Sequence, residues 1–103
     1  MDRILTRFIS GAKKAGARWE QLYLFGSRAT GRDRPDSDYD VLVVVPRRTS
    51  ALLDSLYRAA FDQLLAEGRL ISLKVFTRKE FDHLAKMKTP FMSRVLAEGK
   101  RLG

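Results

Sequence analysis

Apolar residues recur at helical spacing from the start of the chain, where Ile4, Leu5, Phe8, Ile9 and Ala12 fall on one face and Arg3, Arg7, Lys13 and Lys14 on the others. This predicts an amphipathic first helix that ends near Gly16. From Trp19 to Phe25 the period changes to two, with Leu22 and Leu24 on one face and Tyr23 and Phe25 on the other, the pattern of a strand. A polar, basic loop follows. Val41 to Val45 is then apolar on both faces and rich in β-branched residues, which predicts a strand covered on both sides and central in its sheet. Pro46 to Ser50 breaks this run. Ser50 is placed to cap a second helix with Leu52, Leu53, Leu56, Tyr57, Ala60, Leu64 and Leu65 as its buried stripe and Gly68 at its end.

Leu70 to Thr77 reads as a third strand, with Leu70, Ser72, Lys74 and Phe76 on one face and Ile71, Leu73, Val75 and Thr77 on the other. Thr77-Arg78-Lys79-Glu80 has the spacing of a capping box and opens a third helix through Phe81, Leu84 and Ala85. Thr89-Pro90 supplies a cap and first residue for a last helix, PFMSRVLAEGK, whose Phe91, Val95 and Leu96 close over the core. Met87 and Met92 read as gap-fillers or interface residues, and His83, with no companion at metal-ligand spacing, as a surface residue. The periodicities thus give one small α/β (α+β) domain over residues 1–103, in the order α-β-β-α-β-α-α.

The chemistry concentrates between Leu22 and Val45. Asp38 and Asp40 are two apart at the start of a strand, so they project to the same side and Tyr39 to the other. Two carboxylates side by side raise each other's pKa unless a cation sits with them. Magnesium suits the pair, because it takes hard oxygen ligands and is usually held by one or two carboxylates with substrate phosphates and water. Gly26-Ser27 supplies the other half: glycine lets backbone approach a phosphate closely, a following turn of helix aims N–H groups at it, and Ser27 adds a hydroxyl. Arg28, Arg32 and Arg34 bring positive charge to the same region, Arg28 being the expected phosphate contact.

Composition narrows this reading without redirecting it. The net charge of +8, from twenty Lys and Arg against twelve Asp and Glu, favours anionic partners. The basic residues are spread along the whole chain and no aromatic-interleaved basic strand appears, so nucleic acid is not the favoured partner. There is no cysteine, which excludes a disulfide framework and a thiolate metal site and suits a cytoplasmic location. The first nineteen residues are charged and periodic rather than a secretory signal, and no stretch approaches the ~18 apolar residues of a membrane span.

Gly26-Ser27, ten residues, then Asp38-Tyr39-Asp40 resembles the signature of the minimal nucleotidyltransferases of the DNA polymerase β-like superfamily. Arg28, Ala29, Gly31, Pro35 and Ser37 also match the habitual filling of that loop. The resemblance is sharp over residues 26–45 and weak elsewhere. It implies a small mixed sheet with helices packed on one side and the nucleotide site on the open side. It also implies a magnesium-dependent transfer of a nucleoside monophosphate from an NTP, ATP being the first candidate, with Asp38 and Asp40 on the metal and Gly26, Ser27 and Arg28 on the phosphates.

The sequence departs from the family at one point that matters. Members commonly carry a third carboxylate on the third strand, and this strand has no acid. Register puts Lys74 at that position, with Ser72 as the alternative. A charged lysine cannot ligate magnesium. Lys74 can pair with Asp38 or Asp40, touch the phosphates, or simply snorkel from the sheet. Two readings follow. In one the chain is a nucleotidyltransferase; in the other it is a binding module that kept the fold and lost the chemistry. Under either, the resemblance implies a protein partner of the small helical HEPN type, as in two-component toxin–antitoxin pairs, with a homo-oligomer as the other option.

Overall fold

Helix α1 (Arg3–Lys14) begins where the Asp2 carboxylate accepts the N–H groups of Ile4 and Leu5, at 2.7 and 3.4 Å. This satisfies two of the donors that the first turn of a helix leaves unpaired. The computed structural model describes residues 2–103. Ile4, Leu5, Phe8 and Ala12 are buried in it, as their spacing predicts. The chain continues through strand β1 (Gln21–Phe25), a one-turn helix α2 (Ser27–Thr30), strand β2 (Tyr39–Val45), helix α3 (Ser50–Glu67), strand β3 (Ile71–Thr77), helices α4 (Arg78–Met87) and α5 (Pro90–Glu98), and a two-residue strand β4 (Lys100–Arg101). The expected order is present, with α2 and β4 added to it.

The sheet runs β3-β2-β1-β4, with β2 and β3 parallel and the other neighbours antiparallel, so it is mixed and β2 lies inside it. Leu22, Leu24, Val41, Val43 and Val45 meet Phe8 and Leu56 on one face. Leu42 and Val44 meet Phe81, Met92 and Val95 on the other, flanked by Tyr23, Phe25 and Phe76. The long helices α1 and α3 therefore share one side, as expected, while α4 and α5 cover part of the opposite side. Val41 to Val45 are fully buried. Each such side chain contributes about 1.5–3 kcal/mol on leaving water, and this anchors a strand whose first turn carries charge.

Four local expectations are corrected. Of Phe91, Val95 and Leu96, only Val95 closes over the core, while Phe91 and Leu96 are exposed. Ser50 does not cap α3; Thr49 does, its side chain accepting from Leu52 N–H at 3.2 Å, and Ser50 is already helical. The buried stripe of α3 is Leu56, Ala59, Ala60 and Gln63, whereas Tyr57, Phe61, Leu64 and Leu65 are exposed. The cause is the crossing with α1, where a Cβ placed on Gly11 would lie 3.7 Å from Ala59 Cβ. Helices approach this closely only through their small residues, so the alanine face turns inward and the larger side chains turn out. Finally, the last helix stops at Glu98 rather than running to Lys100. Gly99 is extended and its N–H bonds Val95 O at 2.8 Å, a site where a Cβ would come 2.3 Å from that carbonyl. The chain then pairs beside β1, Arg101 with Tyr23 and Lys100 with Leu24.

The expected capping box is present: Thr77 accepts from Glu80 N–H at 3.1 Å and Glu80 from Thr77 N–H at 2.9 Å. Thr89 caps α5 with Pro90 in its first turn. Met92 is fully buried as a gap-filler and His83 is exposed.

Candidate active site

Strand β1 ends at Phe25, and Gly26 turns the chain with φ 75° and ψ −158°, a region that side chains other than hydrogen avoid. A Cβ here would lie 2.3 Å from Asp40 Oδ2. The two halves of the signature are therefore in direct contact, and glycine is required by the carboxylate as well as by the turn. Ala29 is the buried residue of α2, and its N–H and that of Thr30 bond the Gly26 carbonyl at 3.1 and 3.3 Å. The first N–H groups of such a turn have no partner within it.

Asp40 lies in β2 between Phe25 of β1 and Ser72 of β3, half-buried, and Asp38 immediately precedes the strand and is exposed. Tyr39 points the other way, as alternation predicts. It is buried and its hydroxyl donates to Asp2 Oδ2 at 2.7 Å. Burial first, and then this bond to a carboxylate, pushes the Tyr39 hydroxyl up to about 12. Burial would raise Asp2, but the Tyr39 hydroxyl and the N–H groups of Ile4 and Leu5 outweigh it and hold the carboxyl below its ordinary value.

Burial and, second, the charge of Asp38 raise the pKa of Asp40, while Lys74 acts against them. A carboxylate pair in this state suits a divalent cation. Among the described residues no cluster of three or more His, Cys, Asp or Glu stands at metal-holding distance. A cation here would thus take two protein carboxylates and complete its shell from phosphate and water, the arrangement magnesium favours.

Ser72 stands opposite Asp40 in the parallel ladder and Lys74 opposite Leu42, one step further along the same face. Lys74 is exposed. Arg28 is turned into the loop: Nε and Nη2 donate to Ser37 O at 2.9 and 2.7 Å, Nη2 also to Pro35 O at 3.3 Å, and Nη1 to Asp33 Oδ2 at 3.2 Å. Cationic charge reaches the turn from elsewhere. Gly26, Ser27, Thr30, Arg32, Arg94 and Glu98 line a cavity of about 410 Å³. Arg94 escapes a reading by sequence because it lies on α5, far along the chain. Only the burial of its neighbours Met92 and Val95 under the sheet brings it here.

The profile of the family described as "Nucleotidyltransferase domain" matches residues 7–100. Several solved structures share the fold. A toxin–antitoxin with AMP-PNP aligns at TM-score 0.62 and 17% identity, over 95% of this chain and 71% of that one. A point mutant of the toxin–antitoxin MntA–HpeT aligns at 0.61 and 18%, over 96% and 71%. A nucleotidyltransferase of Sulfolobus solfataricus, itself assigned as such only provisionally, aligns at 0.55 and 20%, over 79% and 70%. No curated protein sequence gives a significant match. With a profile match over nearly its whole length and the glycine turn seated against the carboxylate pair, the chain belongs to the nucleotidyltransferase domain family, as the resemblance in its signature loop implied.

Proposed function

We propose that the protein transfers a nucleoside monophosphate from an NTP, ATP first among candidates, to a hydroxyl of a protein or other acceptor, using magnesium. The observation that carries this is the packing of Gly26 against Asp40, with Asp38 beside it and a basic cavity next to the turn. Asp38 and Asp40 would hold the metal, which when bound neutralises phosphate charge and polarises the reacting phosphoryl group. The backbone at Gly26 and Ser27 receives the phosphates, and Arg32 and Arg94 add charge from the cavity wall. In the reaction the acceptor oxygen attacks the α-phosphorus and loses its proton, the α–β P–O bond breaks, and pyrophosphate leaves. Holding the two ends in line and compensating charge accounts for most such catalysis. Strand β3 offers no carboxylate to take the proton, so the base is another group or the substrate itself. Lys74, whose charge reaches Asp40, assists the phosphates or tempers the pair.

The partner in this reading is a small helical HEPN-type protein, with a second copy of the chain as the alternative. Tyr57, Phe61, Leu64, Leu65 and Leu70 are exposed, and all but Leu65 line a hollow beside β3, one edge of the sheet. Apolar patches and open edges of this kind are where proteins dock. Structural neighbours being toxin–antitoxin proteins supports the same reading. A site with two carboxylates instead of three favours a second function, neutralisation of that partner by binding alone. Incubation with α-labelled ATP and the co-expressed partner separates the two. Label should move to the partner, γ-label should not, and Asp40→Asn should abolish transfer. A variant that still neutralises the partner with no transfer by wild type would establish the binding module instead.

A further inference from the structure

Arg28 has little left to offer a phosphate. Its side chain is 11% exposed, and four of the five guanidinium N–H groups are spent on Ser37 O twice, on Pro35 O and on Asp33. A bidentate grip on phosphate would require breaking these contacts. One face of the group also lies on the Tyr39 ring, 3.9 Å from its centroid.

Among the residues it holds are the two that flank Asp38. The Ser37 carbonyl and the Asp38 N–H belong to one planar peptide unit, so two hydrogen bonds on that oxygen fix the plane from which Asp38 departs. Tyr39, on the other side, is pinned between Arg28 and Asp2, and its own N–H bonds Leu70 O at 2.9 Å. The loop is folded further by Ser37 N–H on Arg34 O, at 3.0 Å, and Arg34 N–H on Ser37 Oγ, at 2.8 Å. Asp38 itself precedes the strand and lacks the support of the β2 ladder.

We infer that Arg28 is a positioning residue that sets Asp38 beside Asp40 by holding Ser37 and Tyr39, and not a phosphate ligand. The inference rests on reading the two carboxylates as a divalent-cation pair. It carries a sign that a phosphate contact does not. Removing a positive charge held at the peptide next to Asp38 should by Coulomb's law tighten a cation rather than weaken it, whereas releasing the loop should weaken it.

The test is a titration of the full chain with Mn²⁺ alone, followed by paramagnetic broadening, for wild type, Arg28→Ala and Arg28→Lys. Arg28→Lys retains the charge and stem and covers the case in which Arg28→Ala does not fold. Both variants should bind Mn²⁺ about 10–100-fold more weakly, the usual cost of losing a residue that orients a ligand. Lysine does not rescue, because it cannot fork onto two carbonyls while stacking on a ring. Amide exchange over residues 33–38 should quicken in both. Mn²⁺ affinity unchanged or tightened in folded variants overturns the inference and leaves the metal pair standing. No Mn²⁺ binding by wild type overturns the pair, and the inference with it.

Discussion

At position 26 a side chain would have nowhere to go. The backbone there occupies a region that costs other residues about 1–3 kcal/mol, and its missing Cβ would fall 2.3 Å from the Asp40 carboxylate. Gly26→Ala should therefore lower stability by about that amount and, by displacing Asp40, lose metal-dependent nucleotide binding outright. Thermal unfolding in a double-mutant cycle with Asp40→Ala checks the cause: the destabilisation should shrink once the carboxylate is gone, and equal losses in both backgrounds would show strain in the turn alone. Sequence spacing made Gly26, Asp38 and Asp40 legible, because a period of two and a Gly-Ser turn leave few arrangements. It could not tell where Arg28 points, since an arginine beside a phosphate-facing turn and one folded into its own loop are the same letters.

Among the elements, strands were read more surely than helix faces. Alternation in β1, β2 and β3 survives in the structure because each face meets a separate core. Helix α3 has apolar residues nearly all round, and the small residues of α1 chose which of them went inside. Strand β4 has no pattern of its own and exists because Gly99 brings Lys100 and Arg101 against β1. The junction of β3 and α4 gives a pH test. Glu80 closes the capping box, and Arg48, which also donates to Val75 O at 3.2 Å, bonds its carboxylate. Those bonds, Arg48 first and the Thr77 N–H next, lower the Glu80 pKa to about 2 from an ordinary 4.5. A depressed carboxylate stabilises the fold above its unfolded pKa and loses that contribution as pH falls through the folded one. The melting-temperature deficit of Glu80→Gln should be complete near neutrality and fade between about pH 4.5 and 2. Because the pair is exposed, salt should also reduce it, and a deficit independent of pH would assign the effect to helix capping by shape alone.

The whole molecule carries a net charge of +8, and Asp38 and Asp40 stand together within it. A charge of +8 raises the local concentration of anions around the protein, so weak binding of nucleotides to the surface is expected with or without metal. Specific binding must be distinguished from this background by its need for magnesium and for the carboxylates. The carboxylate at issue is seated by the sheet: β2, sealed on its two faces, carries Asp40, and the turn after β1 lays Gly26 on it. Fold and turn were visible in the chain's patterns, but the cavity wall formed by Arg94 required three-dimensional packing of α5. The most direct measurement is calorimetric titration of ATP into wild type and Asp38→Ala, each with and without magnesium, at physiological salt. Wild type should bind one nucleotide above the weak metal-independent background when magnesium is present, and Asp38→Ala should bind no better with magnesium than without; equal, metal-independent binding by both proteins would contradict the account.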